Sequence, residues 1–204
     1  MVISIQNIIK VEKRDIKPAA KIASLAFDGD PIWDWLIPEG PKRHKKLMAA
    51  FELYVRYGMK YGFVTITSRN YEGVAIWTDS EKAKDSYFAQ FRCGMFKFIR
   101  IIGLRDSLRS LECNDFLMEH HKKNMTERNW HLLIIAVKPE FQSQGYGSLL
   151  MRNMLKSTEK SNYPYYLETQ KENLLDFYAK FGFKIVEKII VPKGGMPVWC
   201  MAIK

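Results

Sequence analysis

No apolar run in the sequence approaches the roughly 20 residues that a membrane-spanning helix needs, so no membrane partner is expected. The opening stretch, MVISIQNIIKVEKRD, lacks the basic start, apolar core and small-residue cleavage site of a secretory signal, and it alternates like a strand. Cysteine is scarce. Cys93, Cys113 and Cys200 are odd in number and have no metal spacing, which excludes a disulfide framework or a structural zinc site. They read as free thiols in a reducing cytoplasm, and no metal is expected. Internal repeats and low-complexity tracts are also missing, which excludes solenoids and linker-rich chains.

What is present fits one domain over residues 1–204, since a 47% hydrophobic chain of this length can bury a sizeable core. The formal charge of +10 favours anionic partners. The basic residues are dispersed, however, and the one cluster, Lys42, Arg43, His44, Lys45 and Lys46, reads as a solvated helix face. No nucleic-acid-binding motif accompanies it, so no nucleic-acid partner is expected.

Residues 2–13 read as a strand, and Asp15 as a cap to a helix that runs to Phe27. DGDPIWDWLIPEGP, 28–41, reads as a loop punctuated by glycine and proline, and 42–58 as an amphipathic helix with Leu47, Ala50, Phe51, Tyr54 and Val55 on one side. FVTITSR and GVAIWT form a hairpin. Across 81–124, Phe88, Phe91, Met95, Phe98 and Ile102 recur at helical steps, with a second helix from about 105. His120 and His121 are adjacent, point to different faces, and read as a solvated helix end. From 130 the pattern is β-α-β-α-β-β: WHLLIIAV, a helix over 145–160, YYLET, a helix over 172–181, FKIVEKIIV and VWCMAIK. The class is mixed α/β (α+β).

The stretch AVKPEFQSQGYGSLL, 136–150, sets two glycines between a strand and a helix. First-turn amides lack intrahelical partners, the helix dipole adds positive potential, and glycine lets a ligand approach closely. Such a loop cradles phosphate; a plain tight turn is the alternative. Gly145, Gly147 and Glu168 imitate a dinucleotide fingerprint. Leu150 stands at the third glycine position, though, and too little chain follows Glu168 for a second half of that fold.

The run Val137, Pro139, Gln142, Gln144, Gly145, Gly147 and Leu150, followed by Asn173, Tyr178, Gly182 and Phe183, resembles the two acetyl-CoA motifs of the GNAT family of N-acetyltransferases, in their order and spacing. Similarity to the puromycin N-acetyltransferase branch extends over AF-x-x-DP near 26, GVAIWT, YLET and VPKGGMPVWCM. The resemblance implies an acyl-CoA N-acyltransferase fold, a mixed and mostly antiparallel central sheet flanked by helices. It implies direct transfer of an acetyl group from acetyl-CoA to a primary amine of a small molecule, aminonucleoside-like or amino-acid-like. A peptide or protein acceptor, or an acyl-CoA sensor without turnover, are the alternatives.

On the same resemblance, backbone amides of Gln142, Ser143, Gln144, Gly145, Tyr146, Gly147 and Ser148 hold the pyrophosphate. Ile135, Ala136 and Val137 align the pantetheine arm, and Asn173 bonds to it. Tyr178 is the candidate general acid; a core tyrosine on an amphipathic helix is the alternative. Glu168 is the candidate base, acting through water, or an attractor of a cationic acceptor; an acid tying a loop amide is the alternative. Phe27, Asp30, Trp33 and Trp77, with Trp35, are the candidate acceptor pocket; for several of the aromatic residues simple core packing is the alternative. Asp28 can also orient an amine, and Asp30-Pro31 can be a turn alone. His131 stands where that branch tends to carry an aromatic residue. It reads as a titratable replacement or as a hydrogen-bonded strand residue. A monomer or homodimer is expected.

Overall fold

The computed structural model describes residues 8–83 and 93–204. Along the chain come β1 (Ile9–Lys10), α1 (Ile16–Ala26), α2 (Pro31–Leu36), α3 (Arg43–Tyr61), β2 (Gly62–Ile66), β3 (Gly73–Asp79), α4 (Met95–Ile102) and α5 (Leu104–Asn124). Then follow β4 (Trp130–Val137), α6 (Tyr146–Thr158), β5 (Tyr165–Thr169), α7 (Leu175–Ala179), β6 (Lys184–Ile190) and β7 (Pro197–Ile203). The strands form one sheet in the order β1-β2-β3-β4-β5-β7-β6. β4 and β5 run parallel and the other neighbours antiparallel. This is the mixed, mostly antiparallel sheet that the family resemblance implies. The helical positions Phe88 and Phe91, and strand residues 2–7, lie outside the described residues.

Strand alternation sorts side chains onto two faces. Leu132, Leu167 and Trp77 stand side by side in register and belong to a core completed by Leu150, Met151 and Met154 of α6 and Tyr178 of α7. Their neighbours His131, Tyr166 and Thr78 face the other way, toward α1, α3 and α5. α6 forms because Leu150, Met151 and Met154 share one face, and each is essentially fully buried. Burying each such side chain stabilises by about 1.5–3 kcal/mol.

Local chemistry departs from the sequence reading in three places. Residues 28–41 are not all loop. Asp30 caps α2, its Oδ1 accepting from the Ile32 amide at 3.2 Å, and Pro31 takes the first helical position. Asp15 makes no capping bond to α1. It is buried and accepts from the Glu12 amide, the Arg69 guanidinium and the Tyr71 hydroxyl, at 2.9, 2.8 and 2.7 Å. Arg43 leaves the solvated cluster: it is buried and serves Asp28, Asp34 and the Ile37 carbonyl. The second helix expected from about 105 is α5, and Gly103 separates it from α4 with a φ of +91°, a conformation that favours glycine.

Gly62 shows how closely β2 and β3 approach: a Cβ there would lie 1.9 Å from the Trp77 carbonyl oxygen. Gly62→Ala must therefore push the strands apart. The expected loss is about 1–3 kcal/mol, read as a lower urea midpoint with an unchanged slope; an unchanged midpoint would show that the approach is not fixed.

Candidate active site

β4 and β5 pair only at their starts, Trp130 with Tyr165, His131 with Tyr166 and Leu132 with Leu167. β3 pairs Ile76 with Ile134 and Trp77 with Leu132, so Leu133 is a bulge, and bulges bend a strand. Beyond it β4 stays with β3 as far as Val137 while β5 continues on β7. The two strands diverge, and alternate β4 backbone groups turn toward the gap.

The glycine loop closes one end of this gap. Gln142 Nε2 donates to the Val137 carbonyl at 3.1 Å and Gln144 Nε2 to the Glu140 carbonyl at 2.9 Å, which fixes the bend. Ser143 and Gly145 have φ of +59° and +89°, and such alternation gathers amides into an anion-binding hollow. α6 starts there, Leu149 donating to the Gly145 carbonyl at 3.0 Å. A Cβ on Gly145 would meet no atom within 4 Å. Its conformation demands glycine, and the space before it is open.

A cavity of about 1180 Å³ runs through the gap, above the roughly 300–1,000 Å³ of an ordinary small-molecule pocket. At one end it is lined by Ile135, Ala136 and Val137, by the loop residues Gln142, Ser143, Gly145, Tyr146, Gly147 and Ser148, and by Asn173 and Tyr178. Gln144 is not among the lining residues; its amide is spent on Glu140. Tyr178 is buried, and burial pushes its hydroxyl above the ordinary tyrosine range, so it stays protonated at neutral pH.

At the other end stand Phe27, Asp30, Trp33 and Glu168. Trp77 does not join them. It points to the opposite face, wholly buried, because it pairs with Leu132. Trp35 is also apart, its ring under the Arg109 guanidinium. Asp30 is turned to structural work: besides capping α2 it pairs with Lys171 at 3.5 Å. Glu168 ties no loop amide. Its Oε2 lies 2.6 Å from His131 Nε2, and its Oε1 is buried without a hydrogen-bond partner among the described residues.

Sequence reasoning passed over the groups around that carboxylate. His121 is buried, not at a solvated helix end, and lies flat on Tyr166 at 4.4 Å. Tyr54 and Cys113 also line this end. Burial, helped by Cys113 and the Glu168 charge, pushes the Tyr54 hydroxyl up to about 12. Burial and Glu168 push the Cys113 thiol up to about 11. The helical spacing Tyr54, Phe51 and Leu47 signalled core but not this carboxylate, whose charge acts on Tyr54 from β5.

Residues 114–185 match the family model of the acetyltransferase (GNAT) domain. The fold is the GNAT fold. A structure described as histone acetyltransferase HPA2 and related acetyltransferase, from Corynebacterium glutamicum, superposes with a TM-score of 0.69 at 18% identity, covering 96% of this chain and 94% of that one. The ribosomal-protein-S18-alanine N-acetyltransferase of Escherichia coli gives a TM-score of 0.53 at 17% identity, covering 97% and 92%. In sequence, the chain is 24% identical over 196 residues to an uncharacterized N-acetyltransferase of Schizosaccharomyces pombe, covering 93% of this chain and 78% of the relative. The GNAT domain match spans β4, the glycine loop, α6, β5 and α7, the elements on the glycine-loop side of the cavity.

The raised Tyr54 has a signed consequence. Up to pH 10 the hydroxyl is protonated in both folded and unfolded chains, so its contribution is fully present. Between 10 and about 12 the unfolded chain loses this proton first, so stability falls with pH, by on the order of 2 kcal/mol from this group. Urea unfolding from pH 9 to 11.5 should show a shallower decline in Tyr54→Phe than in the wild type; parallel declines would contradict the assignment.

Proposed function

We propose that this chain transfers the acetyl group of acetyl-CoA to the primary amine of a small molecule, aminonucleoside-like or amino-acid-like, as in the puromycin N-acetyltransferase branch that its motifs resemble. The observation that carries the reading is the parting of β4 from β5 beside a left-handed glycine loop, with one cavity joining loop and buried carboxylate. The acceptor end is walled by residues of α1, α2, α3, α4 and α5, which favours a small molecule over a peptide.

The residues present fit acetyl-CoA. The open space at Gly145 and the free first-turn amides suit a pyrophosphate. In this reading Gln142, Ser143, Gln144, Gly145, Tyr146, Gly147 and Ser148 hold it chiefly through backbone groups. The β4 edge at Ile135, Ala136 and Val137 pairs with the arm as a strand would, and Asn173 bonds to it. Acetyl-CoA supplies the acetyl thioester.

Glu168 takes one proton from the acceptor ammonium at Oε1, leaving a neutral amine lone pair for attack. Tyr178 gives its hydroxyl proton to the departing sulfur and regains one from the nitrogen that forms the amide. Across the whole reaction, one ammonium yields one amide, one thiol and one released proton. Phe27 and Trp33, with ring centroids 6.4 Å apart, pack on the body of the acceptor. Asp30 shapes that wall, its carboxylate already paired with Lys171.

The test is thiol release from acetyl-CoA against a panel of small primary amines, with Tyr178→Phe alongside. Turnover with at least one amine, lowered about 100-fold or more in the variant while calorimetric acetyl-CoA affinity holds, is the expected result. Acetyl-CoA binding without turnover of any amine would instead identify a sensor, and unchanged turnover in Tyr178→Phe would remove the acid.

A further inference from the structure

We propose that His131 is the positioning residue of the acid–base group: it holds Oε2 of Glu168 and so aims Oε1 at the acceptor amine. This rests on the reading of Glu168 as the base. The bond between His131 Nε2 and Glu168 Oε2 is 2.6 Å, and the two side chains are only 6% and 10% exposed. Facing a carboxylate, Nε2 is the donor, and a short charge-assisted bond of this kind fixes orientation as well as energy.

The other oxygen gives the geometry its meaning. Among the described residues Oε1 is buried without a hydrogen-bond partner, and Glu168 lines the cavity. Buried polar atoms are normally satisfied, and leaving one open is costly. A donor that enters the cavity, such as an ammonium, supplies the missing partner. When it does, its N–H bond breaks and an Oε1–H bond forms, while Oε2 keeps its bond to His131. The proton then leaves Oε1 for solvent through the cavity. Without His131 the carboxylate is free to turn, and neither oxygen is held toward the amine.

The sheet prepares this pair. Parallel register sets His131 beside Tyr166, and Glu168 follows two residues later on the same face. Just beyond, the strands part, so the carboxylate stands at the mouth of the gap. The His131 ring is itself confined, with the His121 centroid at 4.4 Å and that of Tyr166 at 5.3 Å. His121 is tied in turn: Asn129 Nδ2 donates to the Glu127 carbonyl at 2.8 Å, which turns Asn129 Oδ1 toward His121 Nε2 at 2.9 Å. The other titratable groups facing the pair are Tyr54 from α3, Cys113 from α5, Tyr166 from β5 and Cys200 from β7. Burial keeps each of them protonated at neutral pH.

The test compares His131→Phe, His131→Gln, Glu168→Gln and the double variant Glu168→Gln/His131→Phe, using acetyl-CoA and the fastest amine of the panel. Phenylalanine fills the volume without a donor; glutamine offers a donor at similar reach. His131→Phe should lower kcat by about 10- to 100-fold with the KM for acetyl-CoA within about twofold. His131→Gln should recover much of that loss. In the Glu168→Gln background His131→Phe should cost nothing further, because its effect passes through the carboxylate. A downfield imidazole Nε2–H proton in the NMR spectrum of the wild type should vanish in His131→Phe and move in Glu168→Gln. Equal losses in both backgrounds, or wild-type turnover in His131→Phe, would overturn the proposal and leave the base standing. Wild-type turnover in Glu168→Gln would remove the base itself, and the proposal with it.

Discussion

Everything else in this structure depends on two parallel strands that stop pairing. β4 and β5 share three registered pairs and then separate at the Leu133 bulge. Ending a ladder inside a sheet leaves backbone groups that must find partners elsewhere. Here the opening is bordered rather than sealed. The glycine loop and α7 stand on one side and α1, α2 and α5 on the other, and the cavity between them is the consequence. The same parting divides labour between the faces. Tyr178 belongs to the core under α6, while Glu168 follows Tyr166 on the face toward α3 and α5, and both reach the cavity.

The electrostatics of the acceptor end follow from one buried carboxylate. Glu168 carries its charge into a wall of rings and thiols, and that charge reinforces burial in keeping Tyr54, Tyr166 and Cys113 protonated. The basic groups nearby are already engaged, Lys171 with Asp30 and Arg128 with Asp79. The net charge of +10, which suggested anionic partners in general, therefore says little about this end of the cavity. A carboxylate with one bonded and one open oxygen is suited to a cation that can give up a proton.

How much of this was legible in the sequence depends on the range of the interaction. The glycine loop was, because Gln142, Gly145 and Gly147 act within a few residues of one another and of the helix they start. Tyr178 and Asn173 are assigned by the resemblance of a local motif to the family, and both line the cavity with the loop. Trp77 was assigned to the acceptor wall, but its face is decided by register with Leu132, a partner about fifty residues away. His121 read as a solvated helix end because only β4 and β5 bring His131 and Tyr166 against it. Arg43 was lost in a run of charges, since Asp28 and Asp34 reach it only once α2 has folded. Short-range capping was misjudged as well: Asp30-Pro31 looked like a turn and is the start of a helix.

The central claim is that the strand gap and the glycine loop together receive acetyl-CoA. Amide hydrogen exchange of the wild-type protein, with and without acetyl-CoA, tests it most directly. The account predicts new protection concentrated at residues 134–137 of β4 and 142–148 of the loop, with little change in β1, β2 or β6. Protection elsewhere, or none at saturating ligand, would contradict it.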